Sequence, residues 1–428
     1  MEFLRICVAE NFTDVVISIK ASNTVVMVKT VRLLVDVMEK EGMAFPLHLG
    51  VTEAGDGEDG RIKSALGIGA LLSDGLGDTI RVSLSEAPEA EIPVARKLVD
   101  YVLLRQEHPY IPGLEAPEFN YLSPERRKTK AVRNIGGEHV PVVIADRMDG
   151  KTEVNPQFTP DYIYAGRALP EQREEGVEYI LDADVWQGEA GTWPAFNHAQ
   201  LPLMGECDAA LKFLFIPYMA QTDEVIACLK YHPEVVIISQ SNHPNRLGEH
   251  RALVHQLMTE GLQNPVVFFQ HYAEDDAENL QIKSAADMGA LIFDGLCDGI
   301  FLFNQGSLSH AVVDATAFGI LQAGRTRTSK TEYISCPGCG RTLYDLEKTI
   351  ARIKAATSHL KGLKIGIMGC IVNGPGEMAD ADYGYVGAGR GKISLYKGKV
   401  CVEKNIPEEE AVERLLEFIR TDREENQQ

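Results

Sequence analysis

This sequence lacks long apolar runs and has fewer basic than acidic residues. No apolar stretch approaches the length of a membrane span, so a membrane protein is not expected. Acidic residues outnumber basic ones by 62 to 42, and the formal net charge of −20 argues against nucleic acid or an anionic membrane as partner. An anionic ligand would therefore need its own locally placed arginines and lysines.

Cysteine is also scarce, with 8 residues in a chain of 428. Their uneven spacing is not that of a disulfide framework and indicates a reducing compartment, so we expect a cytoplasmic protein. Hydrophobic residues at 45% and charged residues at 24% describe an ordinary globular chain, long enough for two or three domains. Five cysteines without a partner at motif spacing are expected to be small buried hydrophobes: Cys7, Cys207, Cys228, Cys297 and Cys401.

The other three cysteines occur in two motifs near the end of the chain. SCPGCG at 335–340 places two thiols three residues apart, so one turn of backbone presents both to one metal centre. Cys370 follows an apolar run at 365–368 that predicts a buried strand. The Asn-Gly-Pro-Gly that comes next predicts a tight turn, which would bring Glu377 back towards the thiols.

Three thiolates and one carboxylate fit iron–sulfur chemistry better than structural zinc. A closed zinc site takes four Cys or His ligands, but no His lies between residue 311 and Cys336, and only His359 follows it. Cubane clusters are held by thiolates, and a harder ligand marks an iron that can meet a substrate. A zinc knuckle and a thioredoxin-like redox pair stay open as alternatives, because Cys-x-x-Cys alone is a weak signal.

Both motifs resemble those of a known enzyme family. ISCPGCGRT at 334–342 and MGCIVNGPGE at 368–377 are similar to the cluster motifs of the 4-hydroxy-3-methylbut-2-enyl diphosphate synthases, reductases of the methylerythritol phosphate route to isoprenoids. The resemblance implies that residues 326–428 form a small α/β domain similar to half of a sulfite or nitrite reductase. It implies a [4Fe–4S] cluster bound by Cys336, Cys339, Cys370 and Glu377.

The first segment, residues 1–106, alternates predicted strands with helices. The strands at 14–20, 46–51 and 79–84 predict a parallel sheet, which places ligands at its carboxyl ends. In the family such a sheet belongs to a TIM barrel that binds 2-C-methyl-D-erythritol 2,4-cyclodiphosphate. The resemblance implies roles for five side chains: Lys20, Arg81 and Ser83 hold the diphosphate, Glu53 faces the reacting carbons, and Asn373 contacts substrate beside the cluster.

Three strands do not close a barrel. The family's barrel has about five more before this point, so we expect the chain to lack the N-terminal part of its first barrel, either as a fragment or through a mis-set gene start. The first ten residues show helical periodicity and no signal or transit peptide.

The middle segment, residues 107–325, looks like a second copy of the barrel. Residues 62–84 align without gaps with 282–304, and DVVISIK at 14–20 aligns with EVVIISQ at 234–240. With a one-residue slip, PLHLGV at 46–51 aligns with PVVFFQ at 265–270. A degenerate TIM-like barrel insert is therefore expected, as in the large insert-carrying form of the family. It also supplies further predicted strands, at 141–147, 161–167, 178–184 and 211–218.

The second copy has not kept the polar residues of the first. The corresponding pairs are Lys20 and Gln240, Glu53 and Tyr272, Arg81 and Phe301, and Ser83 and Phe303. Two phenyl rings in place of a cation and a hydroxyl remove anion binding and are expected to fill the cavity. A structural spacer is therefore favoured over a second active site.

The expected function is reductive ring opening and dehydration of the cyclic diphosphate, with electrons from ferredoxin or flavodoxin. The basic run at 325–330 is either a solvated loop or a patch that receives an acidic electron carrier. The partners include neither nucleic acid nor a membrane, and a homodimer stays open. The alternative is a non-catalytic iron–sulfur protein, an electron carrier or a redox sensor.

Overall fold

A computed structural model describes residues 1–151, 153–342 and 344–425, and their contacts divide the chain into two compact units. The split unit consists of Met1–Leu98 together with the described residues from Thr328 on, and the barrel unit is Val99–Arg327. The first and last segments expected from the sequence thus belong to one unit. No helix in the described ranges is long and apolar enough to cross a membrane.

Three parallel strands form the first sheet of the split unit, where the sequence predicts them. They are β1 (Ile17–Ala21), β2 (Leu47–Val51) and β3 (Thr79–Arg81), paired in that order. The helices of this segment are α1 (Glu2–Ala9), α2 (Thr24–Lys40), α3 (Gly57–Ser73) and α4 (Glu91–Leu103). Parallel pairing aligns the carboxyl ends of the strands, and Lys20, Gly50 and Arg81 occupy one register row.

Eight parallel strands close a barrel in the barrel unit, in chain order and with the last paired to the first. They are β4 (Val142–Asp146), β5 (Tyr162–Gly166), β6 (Glu178–Asp182), β7 (Thr192–Asn197), β8 (Lys212–Pro217), β9 (Val235–Gln240), β10 (Val266–Tyr272) and β11 (Gly299–Asn304). The helices are α5 (Leu201–Glu206), α6 (Asp223–Tyr231), α7 (Arg246–Thr259), α8 (Ala277–Phe293) and α9 (His310–Ala323). The sequence predicts every strand except β7, whose central Pro194 is unusual inside a sheet.

The barrel is degenerate because its first three connections have no helix among their described residues. Loops cover the outer face of the first strands instead, since Val154, Leu169 and Trp186 pack on a buried patch that includes Ile163 and Tyr179. The predicted degenerate barrel is thus confirmed, and it departs from a regular (β/α) barrel in these first three connections.

The inside of the barrel is aromatic but is not filled. Phe301 is fully buried, yet a cavity of about 490 Å³ remains at the carboxyl ends of the strands, lined by Gln240 and Phe303 among others. The expectation that the rings fill the cavity is therefore wrong. Tyr272 points away from the interior, and its hydroxyl donates to Asp287 of α8 at 2.6 Å.

Five strands form the second sheet of the split unit, in chain order. They are β12 (Glu332–Ser335), β13 (Lys364–Met368), β14 (Tyr383–Gly389), β15 (Lys392–Lys397) and β16 (Val400–Pro407), and the helices are α10 (Leu346–Thr357), α11 (Gly374–Glu377) and α12 (Glu408–Glu425). The pairs of β12 to β14 are parallel, and those of β14 to β16 antiparallel. The strand predicted before Cys370 is confirmed, but the predicted tight turn after it is the short helix α11.

Candidate active site

Parallel pairing of β12 and β13 brings the two cysteine motifs together. Cys336 follows the end of β12 and Cys370 lies two residues beyond the end of β13, so both occur at the same edge of the sheet. The backbone N–H of Gly369 donates to the Cys336 sulfur at 3.3 Å. Burial raises the pKa of the Cys336 thiol, and this N–H opposes the increase.

Cys339 is the exposed member of the first motif. The backbone N–H of Arg341 donates to its sulfur at 3.4 Å, and backbone hydrogen bonding is the main reason that the Cys339 pKa is lowered. A lowered pKa favours the thiolate, which is the form that binds metal. Hydrogen bonds to both sulfurs are of the kind that supports cluster ligands.

Thr342 connects the two motifs, and the sequence analysis missed it. Its hydroxyl oxygen accepts the backbone N–H of Cys339 at 2.9 Å. A Cβ placed on Gly369 would lie 2.7 Å from the same oxygen, so Thr342 packs directly against the second motif. The only available signal is its position inside ISCPGCGRT, which does not reveal this contact.

Glu377 ends the short helix α11, at the wall of the same site. The hydroxyl of Ser22, just after β1, donates to the Glu377 carbonyl at 3.4 Å and ties α11 to the first sheet. Asn373 is the N-cap residue of α11, and its side chain makes no capping hydrogen bond.

The first sheet contributes cationic and hydroxyl groups from adjacent strands. Gly50 lies between Lys20 and Arg81, and a Cβ on Gly50 would lie 3.1 Å from Lys20 Cε and 3.0 Å from the Arg81 carbonyl oxygen. The missing side chain therefore leaves room for the Lys20 stem. Burial and the nearby Arg81 lower the pKa of Lys20, and Ser83 is buried.

Glu53 lies just beyond β2 in a strained backbone conformation, with φ of +49°. Burial, followed by the charge of Glu377, raises the pKa of Glu53 to about 7, while a hydrogen bond from the Thr52 hydroxyl opposes the increase. Two carboxylates from opposite sides of the site thus interact directly.

Buried contacts hold the strand ends of the two sheets together. Ala54 and Ser335 form a parallel bridge, and the Ser85 hydroxyl lies 2.8 Å from the Ser335 hydroxyl and 3.0 Å from its carbonyl oxygen. Because these residues are next to Glu53 and Cys336, the contacts align the carboxylate with the first thiol. The sequence gives no signal for this pair of serines.

One cavity of about 260 Å³ contains almost all of the predicted site residues. Of the predicted set, Lys20 alone is not part of its wall and lies beside Arg81 instead. Arg341, Thr52 and Met368 also line the cavity. The predicted members are Glu53, Arg81, Ser83, Cys336, Cys339, Cys370, Asn373 and Glu377.

The donor set fits a multinuclear group better than a single ion. Within the described residues, no three His, Cys, Asp or Glu side chains converge closely enough to hold one metal ion. The three cysteines and Glu377 instead surround the cavity. Cluster ligands each bind a different iron, so they are expected around a cavity and not at one point.

Two cations of the basic run at 325–330 form ion pairs. Arg327 donates to Asp161 within the barrel unit. Lys330, within the split unit, is partly buried and pairs with Glu58 and with Asp59 at 2.7 Å. A docking role for the run stays a prediction.

Two family models match the split unit. The GcpE TIM-barrel domain matches residues 1–96, and the GcpE protein C-terminal domain matches residues 332–421. The fold and the matched models thus define a protein with a GcpE TIM-barrel segment and a GcpE C-terminal domain.

Curated relatives extend the match through the barrel unit. A 4-hydroxy-3-methylbut-2-en-1-yl diphosphate synthase (flavodoxin) of Bacteroides thetaiotaomicron is 95% identical over 425 residues, which cover 99% of this chain and 69% of the relative. Enzymes of the same name from Parabacteroides distasonis and Porphyromonas gingivalis are 60% and 47% identical, over 98% of this chain and 69% and 67% of their own lengths. The chain belongs to the 4-hydroxy-3-methylbut-2-en-1-yl diphosphate synthase family, which confirms the predicted family.

Proposed function

We propose that the cavity of the split unit is where 2-C-methyl-D-erythritol 2,4-cyclodiphosphate is opened and dehydrated to 4-hydroxy-3-methylbut-2-enyl diphosphate, a two-electron reduction. The chain is an oxidoreductase of isoprenoid biosynthesis by family membership. The observation that carries the proposal is the single cavity that unites Glu53 and Arg81 with three cysteines and Glu377.

Cys336, Cys339, Cys370 and Glu377 would hold a [4Fe–4S] cluster in this cavity. When bound, such a cluster supplies electrons one at a time and an iron open to the substrate. Two observations support this ligand set. Gly369 and Arg341 donate hydrogen bonds to two of the sulfurs, and Thr342 accepts the Cys339 N–H and packs against the second motif. The likeness of the second sheet and its helices to half of a sulfite or nitrite reductase stays part of the proposal.

Lys20, Arg81 and Ser83 would hold the diphosphate. Their contacts with phosphate oxygens would be charge-assisted, and such contacts are strongest where water is excluded. Arg81 and Ser83 line the cavity, and Lys20 lies next to Arg81, where its ammonium group can reach an outer phosphate. This local cluster supplies the positive charge that the acidic chain otherwise lacks.

Glu53 and Asn373 would act on the reacting part of the substrate. Glu53 faces the cysteines and is buried, a setting in which a carboxyl group can donate a proton or orient a leaving hydroxyl. The side chain of Asn373 makes no capping hydrogen bond to α11 and lines the cavity, so its amide can bind substrate oxygens.

Flavodoxin is the electron donor proposed for this chain, because the names of the relatives include it. Ferredoxin is the alternative. Two of the three cations of the basic run at 325–330, Arg327 and Lys330, form internal ion pairs, so these two contribute little free positive charge for docking. A homodimer stays a prediction.

The barrel unit would take no part in the reaction. Gln240, Phe301 and Phe303 replace the phosphate-binding groups of the first sheet, and Tyr272 lies between a strand and α8. We therefore propose the three-part organisation 1–106, 107–325 and 326–428, in which the middle part is a spacer.

Anaerobic preparation tests the cofactor. We expect about four iron and four sulfide per chain, and one zinc without sulfide would overturn the proposal. Glu377→Gln separates cluster binding from catalysis: iron content should stay near that of the parent, while turnover with reduced flavodoxin falls by about 10–100-fold. Asp380→Asn, three residues further on, is the matched control and should change neither quantity.

A further inference from the structure

The cavity at the carboxyl ends of the barrel unit's strands has the size and position of a ligand site. Its volume of about 490 Å³ lies in the range typical of small-molecule pockets. Closed (β/α) barrels place their binding sites at this end. Residues on or just after every one of the eight strands contribute to its wall.

The floor of the cavity consists of aromatic rings that pack against each other. Phe301 lies at the centre, 5.0 Å from Phe269 and 5.7 Å from Tyr164 between ring centroids, both edge-to-face. Phe269 stacks on Phe303 at 5.9 Å, and Phe215 lies 6.4 Å from Phe301. Four of the five rings are only partly buried, so part of their apolar surface is exposed at the cavity, and His271 packs on Phe303 at 5.2 Å.

The rim of the cavity is negatively charged. Asp182 accepts the Tyr164 hydroxyl at 2.6 Å, and Asp184 pairs with Arg167 at 2.8 Å. Burial, then the charges of Asp182, Asp146 and Asp184, raise the pKa of Tyr164. Among the described residues, the wall of the cavity contains two carboxylates, Asp182 and Asp184, and one cation, Arg167, which lies 2.8 Å from Asp184 and 3.9 Å from Asp182.

Comparison with the first sheet shows what has changed. The row Lys20, Gly50 and Arg81 corresponds to Gln240, Phe269 and Phe301, so two cations and an open space have become an amide and two rings. The change removes anion binding without closing the site, and it adds the groups that attract positive charge. A diphosphate would be repelled by this rim.

We propose that this cavity binds a small organic cation, a ligand with a primary or quaternary ammonium group that packs against the aromatic rings of the floor and faces Asp182. Aromatic faces and carboxylates both stabilise a desolvated ammonium group, and aromatic cages are the usual receptors for quaternary ammonium ligands. The remaining amide of Gln240 would accept or donate to a hydroxyl on the same ligand. This site is separate from the reaction in the split unit and does not depend on it.

The charge of the ligand is tested with choline and its uncharged isostere 3,3-dimethylbutan-1-ol, by calorimetry on the full chain. The two probes have the same shape, so their difference in affinity measures recognition of the charge. We expect choline to bind at least about tenfold more tightly. Equal affinities, or no binding of choline at millimolar concentration, would overturn the proposal.

Two variants test where choline binds. Asp182→Asn keeps an acceptor for Tyr164, and Phe269→Leu keeps an apolar wall, so neither should unfold the barrel. Each should weaken choline binding by about three- to tenfold. Their matched controls are Asp223→Asn, at an exposed position of α6, and Phe158→Leu, whose ring packs on Phe318 of α9, and both should leave choline binding unchanged. Unchanged binding in both cavity variants would place choline elsewhere and overturn the proposal.

Discussion

The first sheet of the split unit and the closed barrel share a strand pattern but not an interior. In the first sheet, the row Lys20, Gly50 and Arg81 combines two cations with an open space. In the barrel, Phe269 and Phe301 occupy the matching positions of paired strands, 5.0 Å apart between ring centroids. The backbone is thus compatible with either interior, and the side chains decide between anion binding and an aromatic wall.

The sharpest way to separate the two units is to remove a cluster ligand. Cys370→Ser should abolish iron and sulfide binding, because one of the three thiolates is lost. Cys228→Ser in the barrel unit is the matched control and should bind iron like the parent. The measurement is iron and sulfide content after anaerobic reconstitution, and a Cys370→Ser protein with full cluster content would refute the assignment.

Removal of a barrel ring should cost stability and not catalysis. Phe301→Ala leaves a hole in a buried interior, so the free energy of unfolding of the barrel unit should fall by about 3–5 kcal/mol. Turnover of the protein that stays folded should not change. Denaturant titration and a steady-state assay measure the two effects, and a specific loss of turnover at unchanged stability would contradict the spacer proposal.

A phenyl ring at Gly50, where the barrel has Phe269, should weaken binding of the diphosphate. Gly50→Phe would collide with the Lys20 stem and the Arg81 backbone, so a charge-assisted phosphate contact is lost. Affinity for the cyclic diphosphate should fall by about 10–100-fold at unchanged iron content. Gly205→Phe, at an exposed position of α5, is the control. Unchanged affinity in Gly50→Phe would show that the diphosphate binds elsewhere.

The smallest effect is expected at Thr342, which lies between the two cysteine motifs. Thr342→Val keeps the packing against Gly369 but removes the acceptor for the Cys339 N–H. Loss of one hydrogen bond, about 1 kcal/mol, should speed the loss of iron to a chelator by about fivefold. Thr342→Ser keeps the hydroxyl and should behave like the parent. Equal rates for Thr342→Val and the parent would remove Thr342 from the account.

The parts of this structure that the sequence predicts are those set by local pattern. The strand before Cys370 follows from the apolar run at 365–368. The repeat predicts the barrel, because matching strands imply matching pairings.

The missed features depend on contacts between residues distant in sequence. The pair Ser85 and Ser335 is separated by 250 residues, and nothing near either serine signals the other. The sequence predicts that the rings fill the cavity above Phe301, and this is wrong. The sequence gives the volume of each ring but not the width of the closed barrel that the rings would have to fill. The sequence likewise does not predict that loops, and not helices, cover β4 to β6, because this depends on which residues pack on the outer face of these strands.

The central claim is that the row Lys20, Gly50 and Arg81 and the cysteine motifs form one site, while the barrel does not take part. The most direct measurement is the electron paramagnetic resonance spectrum of the reduced protein with and without the cyclic diphosphate. Substrate should change the spectrum of the parent and of Phe303→Leu in the barrel, but not that of Arg81→Gln at the same substrate concentration. A spectrum that responds in Arg81→Gln, or that no longer responds in Phe303→Leu, would contradict the account.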